Sequence, residues 1–579
     1  MKTSFFFLLL YGLLSSPTLA NSRLAHLDTA RLPRPDSTRP TPPTLTLTGD
    51  LDLSRSFSVM RSQQESSLQH TPWYLTGSLT LATRSGWVIP LQGVWSSPSN
   101  GYGQAYNAIG VSPRYKNWLT LHGGYRNLEF SPFTLAGYTV LGAGIELNAG
   151  LLRVGLMAGR FTKAVTPTAT DPDRVAAFRR MGYGARIGVG NERTYLDVIL
   201  LQAADDLNSI PSDSVGYLTP AQNVVLGLSG RLRANRKLTV EVDAAGSAYT
   251  SDIHAEPMPA ALADRRFGYV NYLNDVRNFI PVNSSTRIRT ALQASLSYQT
   301  NWVGLRLRYK RVEPGYQSMG TYYLPTDVEH LTVAPTIRLF KNRLQFQGSL
   351  GWQHNNLMNQ KPARTNRIIG SASLAYASET NLTLDLTVSN YGLTQRAGYR
   401  PLTDSIRLAQ TNRTLSGSVS KSWTGSGQLH MVQGSATYQE LQELTSFTAE
   451  NSRSRNWSYS VSYSMQHSAS GLNLNLSYQY SCYSHTQDIG FLVQGPTLSV
   501  EKKLFKGEKV SLLCMANYLR NSQPLADETQ QGFVVNTTLT LDYQLTPVHR
   551  LSVSGSDNVN QGLQPFRQQQ GSVRYTMAF

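Results

Sequence analysis

Charge is scarce in this chain. Asp, Glu, Lys and Arg make up 15% of its 579 residues, where soluble domains carry roughly a quarter. Long apolar runs are missing too. Past the amino-terminal segment nothing reaches about 18 consecutive apolar residues, which excludes an ordinary helical membrane protein. Cysteine is nearly absent. The two that occur, Cys482 and Cys514, fall by alternation on the apolar faces of strands two apart in a sheet. Roughly 10 Å separates such strands, beyond disulfide reach. Both read as small apolar-face residues without a redox or metal role. Catalytic signatures are lacking as well. There is no Gly-x-Ser-x-Gly elbow and no His-Glu-x-x-His, and the His residues are scattered. Gly182, Gly184, Gly188 and Gly190 lie in an alternating strand rather than at a strand-to-helix turn, so they do not read as a phosphate cradle. Asp171-Pro172-Asp173 offers too few carboxylates for a calcium site. The expectation is no enzymatic activity, no cofactor, and no catalytic or metal site.

What the chain has is period-two alternation, the mark of a strand with one apolar and one polar face. Trp457, Tyr459, Val461, Tyr463 and Met465 alternate with Ser458, Ser460, Ser462, Ser464 and Gln466. Leu382, Leu384, Leu386 and Val388 alternate with Thr383, Asp385, Thr387 and Ser389, and Phe533 to Leu545 repeats the pattern. Each run is long enough to cross a bilayer at barrel tilt. Tyr outnumbers Phe and Trp, with 30 against 18 and 8, as suits a ring in lipid and a hydroxyl in water. Mean hydropathy is −0.29, natural for a barrel with a polar lumen. At the carboxyl end, Gly571, Val573, Tyr575, Met577 and Phe579 form one last apolar row. At the amino end, Lys2, the apolar run Phe5 to Leu14 and the small residues up to Ala20 predict a secretory signal peptide over 1–20. Cys is absent near that point, so a lipid-anchored lipoprotein is not expected. Residues 21–43 are Pro- and Arg-rich without periodicity and read as a flexible periplasmic lead-in, leaving 44–579 for the barrel.

Connections alternate in length. Tight turns are expected at 84–86, 115–117, 148–150, 190–193, 234–236, 300–301, 341–342, 379–381, 425–427, 469–471, 506–508 and 546–548, with longer loops between them. That spacing predicts a single closed antiparallel all-β barrel of about 26 strands, an even number with both termini on one side. The final strand ending on Phe579, together with the signal peptide, resembles the outer-membrane β-barrel proteins of Gram-negative bacteria. In that family Val573, Tyr575, Met577 and Phe579 would be the signal read by the barrel-assembly machinery. The combination of long loops and few charges is similar in style to large barrels of the Bacteroidota. Two better-known families differ. The TonB-dependent transporters carry a plug domain of over a hundred residues. The lipopolysaccharide-insertion barrel carries a periplasmic jelly roll and a cysteine framework. Neither function carries over.

A barrel this wide needs something in its lumen or conducts freely. The longest loop, Ile253 to Ser285, is the expected plug. It has a short helix predicted over Ala260 to Arg266 and the aromatics Phe267, Tyr269, Tyr272 and Phe279; an ordinary surface loop is the other reading. Net charge is +17. Alternation points Arg231, Arg233, Arg287, Arg289, Arg306, Arg308, Lys310 and Arg338 into the lumen, opposed by Glu241 and Asp243. Such a basic wall attracts anionic solutes, unless the charges sit at different heights and pair with loop acids or lipid phosphates. Two functional readings follow. One is an outer-membrane pore or conduit for large or anionic solutes, gated by a loop or a partner. The other is a non-conducting barrel that displays loops for adhesion or scaffolds a lipoprotein complex. The partners implied are outer-membrane lipid and lipopolysaccharide, the barrel-assembly machinery, and a lipoprotein or periplasmic protein. Nucleic acid is not among them, since the basic residues are spread along strands without a binding module.

Overall fold

In the computed structural model, residues 45–579 are described apart from 63–65, 71–72, 97–106, 167–175, 212–217, 258–281, 362, 398–408, 444–452, 486–489, 506–508, 525–528 and 562–564. The signal peptide, the lead-in, Asp171-Pro172-Asp173, the helix expected over Ala260 to Arg266 and Phe267, Tyr269, Tyr272 and Phe279 lie outside the described residues. So does the turn at 506–508.

One antiparallel sheet of 28 strand segments contains every described strand. Ser66–His70 and Tyr74–Thr83 pair side by side with Leu45–Ser62, so they are two pieces of one strand. Ala108–Val111 and Arg114–Tyr115 likewise share the space between Trp87–Ser96 and Leu119–Asn127. The barrel therefore has 26 strands. It closes where Leu45–Ser62 pairs with Phe566–Ala578 over 13 residues of each. Gly49 and Phe579 extend that seam by exchanging backbone hydrogen bonds of 2.7 and 2.9 Å. Inside the seam, Arg574 pairs with Asp52, which also accepts from Thr576 Oγ1 at 3.0 Å. Closure satisfies the backbone of both end strands and leaves no edge for a second chain to extend.

The described turns fall where alternation of connection length placed them, all on one side, and the described loops 128–138 and 313–327 lie on the other. Apolar residues face outward. Along Arg179–Gly190, Tyr183, Ile187 and Val189 are 62%, 58% and 62% exposed, while Gly182, Gly184 and Gly188 between them are buried. Trp457, Tyr459 and Val461 repeat this on Ser454–His467. Cys482 stands opposite Trp457 and Leu492, and Cys514 opposite Val500 and Leu539, so both face outward as free thiols. Among the described residues, helix is limited to single 3₁₀ turns at Leu207–Ser209 and Ser468–Ser470.

Candidate functional site

The inner wall is not uniformly polar. On the strands between 382 and 485 the inward positions are mostly Ser, Thr, Asn and Gln, with Leu429, Met431 and Tyr483 among the exceptions. On Tyr195–Asp206 and Gln222–Arg233 they include Ile199, Leu201 and Val225, each fully buried. What covers them is a pair of loops folded into the lumen. The first, 128–138, follows the strand Leu119–Asn127. The second, 313–327, follows Val303–Val312. Phe133 and Leu135 of the first loop and Tyr316 of the second join Ile199, Leu201, Val225, Ala245, Ala291 and Val312 in one buried cluster. Loops normally run over the surface because their polar backbone needs water. Here each loop satisfies the other. Tyr316 Oη donates to the Phe133 carbonyl at 2.7 Å, and Ser318 Oγ to the Thr134 carbonyl at 2.6 Å. Ala136 N donates to the Gly320 carbonyl at 3.0 Å. Burial also pushes the Tyr316 phenol pKa up, which keeps it a proton donor.

The wall holds the second loop through Asn223, which is completely buried. Its Oδ1 accepts from Met319 N at 3.0 Å, and its Nδ2 donates to Ser247 Oγ at 2.8 Å. Ser247 Oγ in turn donates to the Gln317 carbonyl at 2.5 Å. Space for the first loop comes from inward glycines. A Cβ on Gly227 would lie 2.5 Å from Thr134 Cγ2, and Cβ atoms on Gly155 and Gly184 would meet the Phe130 ring at 3.1 and 3.0 Å. The run Gly182-x-Gly184 is thus a packing surface, with Gly182 against Phe161.

These two loops are other than the Ile253 to Ser285 loop, of which 258–281 lie outside the described residues. Two sequence signals pointed to their seat. Val198-Ile199-Leu200-Leu201 and Val224-Val225-Leu226 are apolar on both faces, which marks a strand covered on both sides. The inward glycines, each at a position where the outer neighbours are large, mark a close approach.

Inward ion pairs ring the same region. Arg153 Nε and Nη2 bind Asp197 at 2.8 and 2.9 Å, and Arg180 binds Asp205 at 2.8 and 3.0 Å. Arg186 reaches Glu146 at 3.0 Å, and His122 lies 3.4 Å from the same carboxylate. Arg153 and Asp197 meet across an intervening strand, and a Cβ on Gly188 would sit 1.9 Å from Asp197 Oδ1. None of these pairs was foreseen, since each depends on register.

Six of the eight basic residues read as one wall divide into two groups. Arg231 is neutralised by Glu241 at 2.8 Å, and Glu241 also accepts from Ser295 at 3.1 Å. Asp243 accepts from Ser229 at 2.7 Å. Arg289 donates to the Pro314 carbonyl at 2.9 Å and so fastens the start of the second loop, while Arg287 lies beside Gly315. Arg306, Arg308 and Lys310 form the other group. Their cross-strand neighbours are Ser297, Ser295 and Gln293 on one side and Ala334, Thr332 and His330 on the other, with no acid among them. Lys310 Nζ lies 5.9 Å from the centre of the Phe133 ring, so this row runs up to the plug. Arg338 and Arg233 sit near the turn ends of their strands. Among the described residues neither they nor Arg306, Arg308 and Lys310 make an ion pair.

At the carboxyl end, Val573 is 45% exposed on the outer face. Tyr575 Oη lies 2.6 Å from His549 Nδ1, with the two rings stacked. Met577 pairs with Leu51 across the seam, and Phe579 with Gly49.

No protein-family model matches the chain, and no curated protein matches it. Solved structures that it resembles are large barrels. OpdO of Pseudomonas aeruginosa is 11% identical, with 92% of this chain and 97% of that one covered at a TM-score of 0.28. The translocation pore of the P pilus usher PapC is 10% identical, covering 91% and 99% at 0.39. OccAB1 of Acinetobacter baumannii is 13% identical, covering 60% and 91% at 0.32. With TM-scores this low, none of them informs the function of this chain.

Proposed function

We propose that this chain is a bacterial outer-membrane barrel whose lumen, narrowed by the 128–138 and 313–327 loops, conducts anionic solutes. The unopposed row Arg306, Arg308 and Lys310 carries the reading. The inward acids Glu146, Asp197, Asp205 and Glu241 have cations beside them; this row faces only hydroxyls, an amide, an alanine and a histidine. Unpaired cations in a lumen of low-dielectric walls raise the local concentration of anions and lower that of cations. The outward apolar residues cannot be left in water on this scale, and a closed barrel is one of two structures a bilayer accepts. The short-turn side then faces the periplasm, and the terminal row Val573, Tyr575, Met577 and Phe579 is what the assembly machinery reads. No enzymatic step is required of any residue.

The test is single-channel recording of the refolded protein in planar bilayers under a salt gradient. The expected result is a reversal potential on the anion side that moves toward cation preference in Arg306→Glu/Arg308→Glu. An unchanged reversal potential in that variant would sink the anion reading.

The second reading, a non-conducting interaction protein, is favoured by one observation: the two loops bind each other and the wall as tightly as a core. Silence of the intact protein in bilayers, together with silence after both loops are removed, would select it.

A further inference from the structure

Two turns on the short-turn side enclose a groove of about 540 Å³, lined by Asn191, Arg193, Thr194, Arg233, Asn235 and Arg236. Three of the six lining residues are arginines, and none is an acid. Arg343 and Arg550, also on the turn side, are neutralised: Arg343 pairs with Glu379, and Arg550 lies 2.9 Å from Asp542. On the loop side, Arg180 and Arg567 are likewise bound to Asp205 and Asp557. Arg193, Arg233 and Arg236 make no ion pair among the described residues.

The groove is also held in shape. Asn191 Oδ1 accepts from the backbone N–H of Arg193 and Thr194 at 2.9 and 3.1 Å, and Asn235 Oδ1 from Lys237 and Leu238 at 2.8 and 2.9 Å. The turns are tied to one another by Arg233 N on Thr194 Oγ1 and by Arg231 Nη1 on the Glu192 carbonyl, both at 3.3 Å. Its volume lies in the range of small-ligand sites.

We infer that this groove binds solutes carrying two or more phosphate groups. The planar donor fork of arginine matches a phosphate in bidentate fashion. A phosphate carries up to two charges on one centre, so a compact polyphosphate neutralises three guanidinia within this volume. Carboxylates, with one charge each, need a longer ligand. Arg233 belongs to a row that runs across the sheet through Thr239 and Ser297 to Arg306. A solute held in the groove is therefore presented to the lumen row from the turn side. The inference rests on the conduit reading only for that last step.

The experiment is isothermal titration of the full chain, refolded in detergent, with tripolyphosphate and with hexaglutamate at physiological salt. Tripolyphosphate is expected to bind, and Arg193→Gln/Arg233→Gln/Arg236→Gln to weaken it by about tenfold or more. Arg84→Gln/Lys116→Gln/Lys341→Gln removes the same charge from turns outside the groove and is expected to leave binding within about twofold. Absence of tripolyphosphate binding overturns the inference. So does equal weakening in both variants, which would mean general attraction to a basic rim, and so does hexaglutamate binding as tightly, which would mean a docking site for an acidic segment. Because the titration needs no current, binding in a silent barrel would sink the conduit alone. Anion current without binding would sink the groove alone.

Discussion

Gly227 occupies an inward position where the Thr134 methyl leaves no room for a side chain. Placing Leu there forces either the wall or the first loop to move, and overpacking of this kind costs about 1–3 kcal/mol. Gly227→Leu should therefore lower the urea midpoint of the refolded barrel and open the 128–138 loop to limited proteolysis. An unaltered digestion pattern would show that the loop is not seated on this wall. Tyr316→Phe removes one donor and leaves the buried Phe133 carbonyl unpaired, a loss of about 1–3 kcal/mol. Its ring still fills the cluster, so the barrel should fold, with a smaller midpoint shift than Tyr316→Ala produces. Equal shifts would mean that the hydroxyl is the whole of its contribution.

Among the elements, the seam between Leu45–Ser62 and Phe566–Ala578 is where closure can fail. The Asp52 side chain is 12% exposed and Arg574 62%, so their pair is partly screened and its coupling should be about 1 kcal/mol. A double-mutant cycle of Asp52→Asn and Arg574→Gln, read by the temperature at which the folded gel mobility is lost, should show that coupling. Additive losses would mean that the backbone ladder alone closes the barrel. The strands themselves were legible, because most crossings repeat apolar and polar residues with period two and every expected tight turn except Thr546-Pro547-Val548 carries Gly, Asn or Ser. Arg306, Arg308 and Lys310 were placed on the inner face by the same alternation. The loops were not legible. Glu129-Phe130-Ser131-Pro132-Phe133 has no period, and its destination depends on glycines and apolar residues that belong to other strands.

For the molecule as a whole, the loop pair makes conductance a structural readout. Replacing 128–137 by a short Gly/Ser linker removes Phe133 and Leu135 and also strips Tyr316 and Ser318 of their acceptors, so the 313–327 loop loses its hold. Single-channel conductance should rise several-fold relative to the intact chain, with widening of the lumen as the physical cause. The same deletion should raise the permeability to uncharged sugars in liposome swelling. No change in either would place the conducting path wholly along the polar inner wall of residues 382–485, beyond the loops' reach.

The sequence by itself determined the crossings. Alternation is a local property, and the side-chain period of two, the turn residues and the even number of strands follow from it without knowledge of any partner. The outward orientation of Cys482 and Cys514 and the inward orientation of the basic row come from that same period. Tertiary structure alone decided what fills the lumen and which charges remain unpaired. Phe133, Tyr316 and Asn223 lie far apart in the chain, and Arg153 reaches Asp197 across a strand only because Gly188 makes way. Contacts of that kind depend on register around the whole circumference, which is fixed only when the first strand meets the last.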